Sequence, residues 1–250
     1  MTRYHLVIEY DGTDYVGWQR QDNGPSIQEE LEKAVHAFCG ETAVVQGAGR
    51  TDAGVHALGQ AAHVDIERDT NANTVREALN AHLRPNPISV LQATAVSDQF
   101  HARFSAEARS YLYRIINRRA PTTTLRYLTW HVGVDLDARA MHVAAQRLIG
   151  KHDFSTFRAS TCQAKSPIRT LTSLDVYRDG EVIDIRVSAP SFLHHQVRNF
   201  VGTLKLVGEG KWTADNISEA LAACDRTKGG QTAPPEGLCL TKVNYPPNSL

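Results

Sequence analysis

Apolar positions along the chain change period repeatedly, and each change marks an expected element. Tyr4, Leu6, Ile8 and Tyr10 alternate with His5, Val7 and Glu9, the two-residue period of a half-buried strand. From Ser26 the period lengthens: Ile27, Leu31, Ala34, Val35 and Phe38 form one stripe of a helix. Ser26 and Glu29 fit a capping box at its start, and Gly40 is the stop signal. Strand signals return at 42–46 and 60–66, a second helix fits Thr74–Leu83, and a strand over Ile88–Val96 closes the half.

The second half repeats the plan. Arg109–Asn117 reads as a strand with Tyr111, Tyr113 and Ile115 on one face. Asp137 caps a helix carrying Met141, Ala144, Ala145 and Leu148, and Gly150 follows it. Leu171–Tyr177 and Val182–Val187 flank Asp179–Gly180, a pair that predicts a type I′ hairpin turn. A helix is expected from Ser191, with Leu193, Val197, Val201 and Leu204 inward, then a shorter one over Asp215–Cys224 and a last strand over Leu238–Tyr245.

Both halves therefore approximate βαββαβ. The expected fold is α/β (α+β): two tandem ferredoxin- or RRM-like units, residues 1–104 and 105–250, whose antiparallel-rich sheets join. An active-site cleft is expected between them. A single Rossmann-like sheet is the weaker architecture, because no G-x-G-x-x-G follows a strand.

Composition sets outer limits. With 250 residues, 42% apolar and 22% charged, the chain suits a soluble globular protein with one or two cores. No stretch approaches a membrane span, and the N-terminal residues, with Arg3, Glu9 and Asp11, lack the apolar run of a secretory signal. Cys39, Cys162, Cys224 and Cys239 are widely spaced without a C-x-x-C pair, as expected of free thiols in a reducing compartment. A cytoplasmic location is expected. Formal net charge is zero, which argues against nucleic-acid binding unless the positive charge is concentrated locally.

Such a concentration lies in residues 101–130. Arg103, Arg109, Arg114, Arg118, Arg119 and Arg126 stand there against the lone Glu107, interleaved with Phe104, Tyr111, Tyr113 and Tyr127 and preceded by Phe100. Arginines for phosphates and aromatic rings for stacked bases favour a nucleic-acid surface over a charged strand edge.

The densest candidate chemistry is GAGRTDAGVHALGQ, residues 47–60. Arg50 and Asp52 are two apart, so in an extended segment both point the same way, and the guanidinium would favour an ionised carboxylate. An ionised Asp52 suits a nucleophile better than a general acid. A structural turn with a local salt bridge stands level with that reading on these residues alone. Asp52 with His56 supplies only two metal ligands, and His194 and His195, neighbours on an expected helix, diverge, so no metal site is expected. Asp11 and Asp153 are weak candidates for a second catalytic acid, since each also reads as a turn or cap residue. Arg198, on the flank of an apolar helix, calls for a carboxylate partner, and Asp52 is one possibility.

Six blocks in order resemble the bacterial tRNA pseudouridine synthase A family: EYDGTDYVGWQRQ, GAGRTDAGVHALGQ, FHARFSAEARSYLYRI, GKHDFSTFR, FLHHQVRNFVGTL and APPEGLCL. The resemblance extends over nearly the whole chain, and GRTDAGVHA is highly specific. The resemblance implies isomerisation of uridine to pseudouridine at positions 38, 39 and 40 of the tRNA anticodon stem-loop, by a homodimer without metal or organic cofactor and without a membrane partner. It also implies roles. Asp52 matches the essential aspartate, acting on the target uridine as nucleophile, and Tyr111 the tyrosine that packs against the base. Arg198 matches the basic residue paired with that aspartate, and Arg50 the arginine that assists base flipping and RNA contact. A non-catalytic tRNA-binding or folding chaperone is the main alternative, and a metal-dependent nuclease or glycosidase a third.

Overall fold

The computed structural model describes residues 1–247 and 249, which divide into two compact units, Met1–Arg109 with Cys239–Leu250, and Ser110–Leu238. The first begins with β1 (Thr2–Tyr10), α1 (Ile27–Cys39), β2 (Gln46–Gly47), β3 (His56–Ile66), α2 (Ala72–Leu83) and β4 (Ile88–Val96). A strand β5 (Ala108–Asn117) leads into the second unit, which continues with β6 (Trp130–Val132), α3 (Ala138–Ala145), β7 (Gly150–Asp153) and β8 (Ile168–Leu171). It then adds β9 (Ser173–Asp179), β10 (Val182–Ala189), α4 (Gln196–Gly208) and α5 (Ala214–Ala223). The last strand, β11 (Leu238–Asn244), returns to the first unit. The described residues from Cys239 onward thus group with Met1–Arg109, although their place in the sequence assigned them to 105–250.

In the first unit the strands run β4–β1–β3–β11. The β1/β3 and β1/β4 pairs are antiparallel, whereas β11 joins β3 in parallel through Cys239 and Leu240 opposite His56 and Ala57. The alternation expected of β1 puts Tyr4, Leu6, Ile8 and Tyr10 into the core. They meet Ile27, Leu31 and Val35 of α1 and Val75, Leu79 and Leu83 of α2, all buried. Ser26 caps α1 by accepting the Glu29 amide at 3.3 Å, and Gly40 ends it at φ 78°.

One expected strand is reduced. Over residues 42–46 only Gln46 joins a ladder, as the first residue of β2, because the Val45 amide donates to the Glu32 carboxylate of α1 at 3.2 Å instead.

In the second unit the order is β5–β10–β9, with β6 parallel to β5 and a separate antiparallel pair β7/β8. The chain is therefore mixed α/β with mostly antiparallel pairing. Its core gathers Tyr113 and Ile115 of β5, Ile183 and Ile185 of β10, and Met141 and Ala144 of α3. Phe154, Phe157 and Phe200 pack beside them, with ring centroids 5.1–6.4 Å apart. Asp137 caps α3 by accepting the Ala140 amide at 2.9 Å.

Two local expectations shift. Asp179 pairs with Val182, so the hairpin loop is Gly180–Glu181 rather than Asp179–Gly180. Gly180 alone has positive φ, at 56°, which is the type II′ pattern and not type I′. The helix expected from Ser191 begins five residues later, at Gln196, because His195 takes a left-handed conformation at φ 61°. The Gln196 side chain turns back to accept the Leu193 amide at 2.7 Å.

At the far side of β1, His5 and His63 are buried beside the segment that follows β4. His5 meets the rings of Phe100 and Tyr245, and His63 accepts the Ala102 amide at 3.1 Å with the His101 ring 4.7 Å away. Arg3 binds Asp65 through two 2.7 Å contacts and donates to the Phe100 carbonyl at 2.7 Å.

Burial lowers the pKa of His5 to about 4, and burial aided by the nearby Arg3 and His101 charges does the same to His63, with Asp65 opposing. In the unfolded chain both take up protons near pH 6.5. Their depressed native pKa values mean that stability is full above that pH and falls as pH drops toward 4. Urea midpoints measured across that window are expected to decline, and H5F is expected to flatten the decline. On α4, a Cβ at Gly202 would lie 1.7 Å from the Gln231 carbonyl oxygen. Gly202→Ala is expected to cost about 1–3 kcal/mol of stability in denaturant unfolding, as overpacking does.

Candidate active site

The stretch 47–60 leaves β2, crosses a tight loop and enters β3. The Ala48 amide donates to the Ala61 carbonyl at 2.7 Å, prolonging the ladder by one residue before the loop turns. Across the R-T-D triplet burial alternates. Arg50 is exposed, Thr51 buried and Asp52 half-buried. The inward one is Thr51, whose hydroxyl lies 2.8 Å from the Tyr10 hydroxyl of β1.

Backbone contacts hold the triplet as well. The Trp18 amide donates to the Thr51 carbonyl at 3.1 Å, and Asp52 forms an antiparallel bridge with Gly17. Gly17 has φ 114°, and a Cβ there would come within 2.5 Å of the Thr51 oxygen. Only glycine allows the Gly17 strand to approach this closely. The Val55 amide then donates to the Asp52 carbonyl at 3.2 Å, closing the turn. From the far side the Gln60 amide donates to the Gly49 carbonyl at 2.9 Å.

Asp52 therefore stands on a loop whose buried side is bonded at Gly49 and Thr51. Thr51 is the one buried member of the triplet. Arg50, however, turns to solvent and carries no ion pair among the described residues.

His56 is buried at the start of β3 and directs Nδ1 to the Gly12 amide and to an Asp11 carboxylate oxygen, both at 3.1 Å. It is thus a structural link to the β1 end rather than a companion ligand for Asp52. Burial raises the Asp11 pKa, but the Thr13 hydroxyl and amide and the His56 ring outweigh it, and the net direction is down. Asp153 accepts the Ser155 amide at 2.8 Å. Both acids are turn anchors, and the lowered pKa of Asp11 runs opposite to what a general acid needs.

In the second unit Tyr111 is a half-buried residue of β5, with its ring perpendicular to Phe192 at 5.3 Å. Two residues on, Tyr113 is fully buried and donates to the Pro234 carbonyl at 2.8 Å. Burial drives its phenol pKa far up. Of the two tyrosines, only Tyr111 offers a ring face outside the core.

Arg198 projects from the first turns of α4. Its Nε donates to the Ala233 carbonyl at 2.7 Å, and the Ala233 amide donates to the Arg198 carbonyl at 3.1 Å. Asn199 secures the same loop, accepting from Thr232 at 2.7 Å and from Arg226 at 3.1 Å while donating to the Phe157 carbonyl at 2.9 Å. The close approach permitted by Gly202 completes the anchorage. One edge of the Arg198 guanidinium is consequently fixed by backbone.

The basic, aromatic segment 101–130 is less uniform than its composition suggests. Arg114 binds Asp184 bidentately at 2.7 and 3.0 Å, and Arg118 binds Glu181 at 2.9 Å. Arg109 donates to the carbonyls of Arg103, Ala48 and Ala106. Phe100 and Tyr113 are buried. Arg103, Arg119 and Arg126 remain exposed, with Phe104 and Tyr127. The inward roles of Thr51 and Gln60, and the Ala233 clasp on Arg198, carried no periodic signal in the sequence. Only the tightness of the R-T-D triplet hinted at the first.

Among known proteins, the family model described as tRNA pseudouridine synthase matches residues 6–105 and 144–246, which include Asp52, Arg50 and Arg198 but not Tyr111. The tRNA pseudouridine synthase A of Paramagnetospirillum magneticum is 62% identical over 98% of this chain and 96% of its own length. Those of Rhodospirillum centenum and Sinorhizobium fredii are 59% and 57% identical, each over 98% of this chain and 100% of the relative. No helix among the described residues is long and apolar enough to cross a membrane. With a family match over most of its residues and near-complete overlap with these relatives, the chain belongs to the tRNA pseudouridine synthase family.

Proposed function

We propose that this chain isomerises uridine to pseudouridine in tRNA, at positions 38, 39 and 40 of the anticodon stem-loop, with Asp52 as the essential carboxylate. The observation that carries the proposal is the anchored R-T-D triplet. Thr51 is held inward by Tyr10 and Trp18, and the adjoining Asp52 is half-buried on the same anchored backbone. A carboxylate presented in this way needs little reorganisation at the moment of reaction.

In the proposed reaction the target uridine leaves the stack, at an unstacking cost offset by its pocket. Asp52 promotes cleavage of the N1–C1′ bond, the uracil turns, C5 bonds to C1′, and the proton lost from C5 is balanced by one gained at N1. Reactant and product are isomers, so no net oxidant or reductant is consumed, and the reaction is proposed to run without metal or organic cofactor. Tyr111 is assigned to pack against the uracil during its rotation, Arg198 to pair with Asp52, and Arg50 to contact RNA. The half-buried ring of Tyr111 and the backbone-clasped guanidinium of Arg198 are consistent with these duties. The working protein is proposed to be a cytoplasmic homodimer of two-part chains, with the aspartate loop in the first part and the tyrosine and arginine in the second. A chaperone that only binds tRNA is not favoured, because nothing in folding assistance requires so closely held a carboxylate.

Asp52→Asn is expected to lower turnover by at least about 10³-fold while tRNA affinity is largely retained, as for loss of a group acting in the chemical step. Pseudouridine mapping of a tRNA transcript, without added metal or cofactor, checks this. Unmodified transcript with wild-type enzyme, or substantial product with D52N, would sink the assignment. Thr51→Val removes the hydroxyl that meets Tyr10, and kcat is expected to fall about fivefold to tenfold at unchanged KM, in line with one hydrogen bond used for positioning. Thr51→Ser should restore kcat. A lower Tm with unaltered kcat would make the contact merely structural.

A further inference from the structure

We infer that Phe104, with the Arg103 guanidinium beside it, is a docking point for the tRNA anticodon stem-loop, offering a stacking face to an unpaired base near the uridine on which Asp52 acts. The inference rests on the proposed function and names a contact within it. Phe104 is 76% exposed, far more than any other phenylalanine or tyrosine among the described residues. An exposed aromatic ring on a loose loop can fold back onto the protein, but this one is held out.

The turn that carries it is closed by three bonds around His101. The Ser105 amide donates to the His101 carbonyl at 2.9 Å, the His101 amide to the Ser105 hydroxyl at 3.0 Å, and the Arg103 amide to His101 Nδ1 at 3.1 Å. The His101 ring backs the phenylalanine at 4.4 Å with a 39° tilt, and the Arg103 guanidinium lies 5.7 Å from its centroid.

Arg109 ties this turn to the loop of the candidate active site. One guanidinium nitrogen donates to the Arg103 carbonyl at 2.7 Å and to the Ala48 carbonyl at 2.8 Å. Ala48 precedes Asp52 by four residues in the same anchored loop. The ring and the carboxylate are therefore carried on two segments joined through one side chain, and they keep their relation as the RNA arrives.

Charge selects the partner. Arg103 and Arg50, one on each of the joined segments, are both exposed, and neither carries an ion pair among the described residues. A polyanion supplies the missing counter-charge. A protein interface would call for a contiguous apolar patch, whereas the turn around Phe104 carries His101, Arg103 and Ser105. One aromatic ring flanked by a guanidinium is the combination that single-stranded nucleic acid uses.

The test measures binding of a fluorescent anticodon stem-loop RNA, KM for tRNA, and the mass of the protein by light scattering. Phe104→Ala is expected to weaken binding and raise KM about 5-fold to 100-fold, the worth of one base stacked on one ring. Phe104→Trp should preserve both. Arg103→Gln should reduce the slope of log affinity on log salt by about 0.7–0.9, as for one lost phosphate contact.

Unchanged affinity in F104A would overturn the inference, and so would a change in oligomeric mass, which would assign the ring to a protein interface. Failure of the proposed function reads differently. Wild-type protein would then bind the stem-loop and form no pseudouridine, while the effect of F104A on binding would still report on Phe104.

Discussion

The arrangement of the candidate site depends first on which way Thr51 faces. In an extended segment the middle residue of three points opposite to its neighbours. The Thr51 hydroxyl meets Tyr10 at 2.8 Å, which makes Thr51 the buried member of the triplet, with Arg50 exposed and Asp52 half-buried. The Trp18 amide on the Thr51 carbonyl and the bridge to Gly17 remove the remaining freedom to rotate. Tyr10 belongs to β1, which pairs with β3 on one side and β4 on the other, so the loop of Asp52 is tied to an interior strand of the first unit.

The second unit solves a similar problem by other means. A guanidinium on a helix has many rotamers and loses entropy when fixed. Here Nε is bound by the Ala233 carbonyl, and the loop carrying that carbonyl is held against α4 by Asn199 and by the close approach at Gly202. A loop without regular structure thereby acquires the rigidity of the helix beside it. Tyr111 gains its position more simply, from the strand whose next inward residue, Tyr113, is locked in the core.

Zero net charge is compatible with an RNA substrate because the arginines divide into two groups. Arg109, Arg114 and Arg118 are consumed by carbonyls and carboxylates of the protein itself, where they fasten loops and strand neighbours. Arg50, Arg103, Arg119 and Arg126 stay at the surface. Counting charges along the chain could not separate these groups, since the separation depends on which acceptors lie within reach after folding.

Periodicity was enough to define α1 to α5 and the longer strands, but not the short β6, β7 and β8. The β1 alternation, the α1 stripe with its Ser26 cap and Gly40 stop, and the α3 cap at Asp137 all report local geometry, and local geometry is written in spacing. The R-T-D triplet with its glycines was likewise visible, and the family resemblance singled out Asp52 within it. The sequence could not show that residues 42–45 surrender their pairing to Glu32, that His195 delays α4, or that the last strand returns to the first unit beside β3. It could not reveal that Arg50 turns to solvent while Thr51 takes the inward position, or that Arg109 joins the Phe104 turn to Ala48. The last three of these outcomes rest on contacts between residues far apart in the sequence. Spacing determines which face a side chain takes, but only the tertiary structure decides which partner waits there.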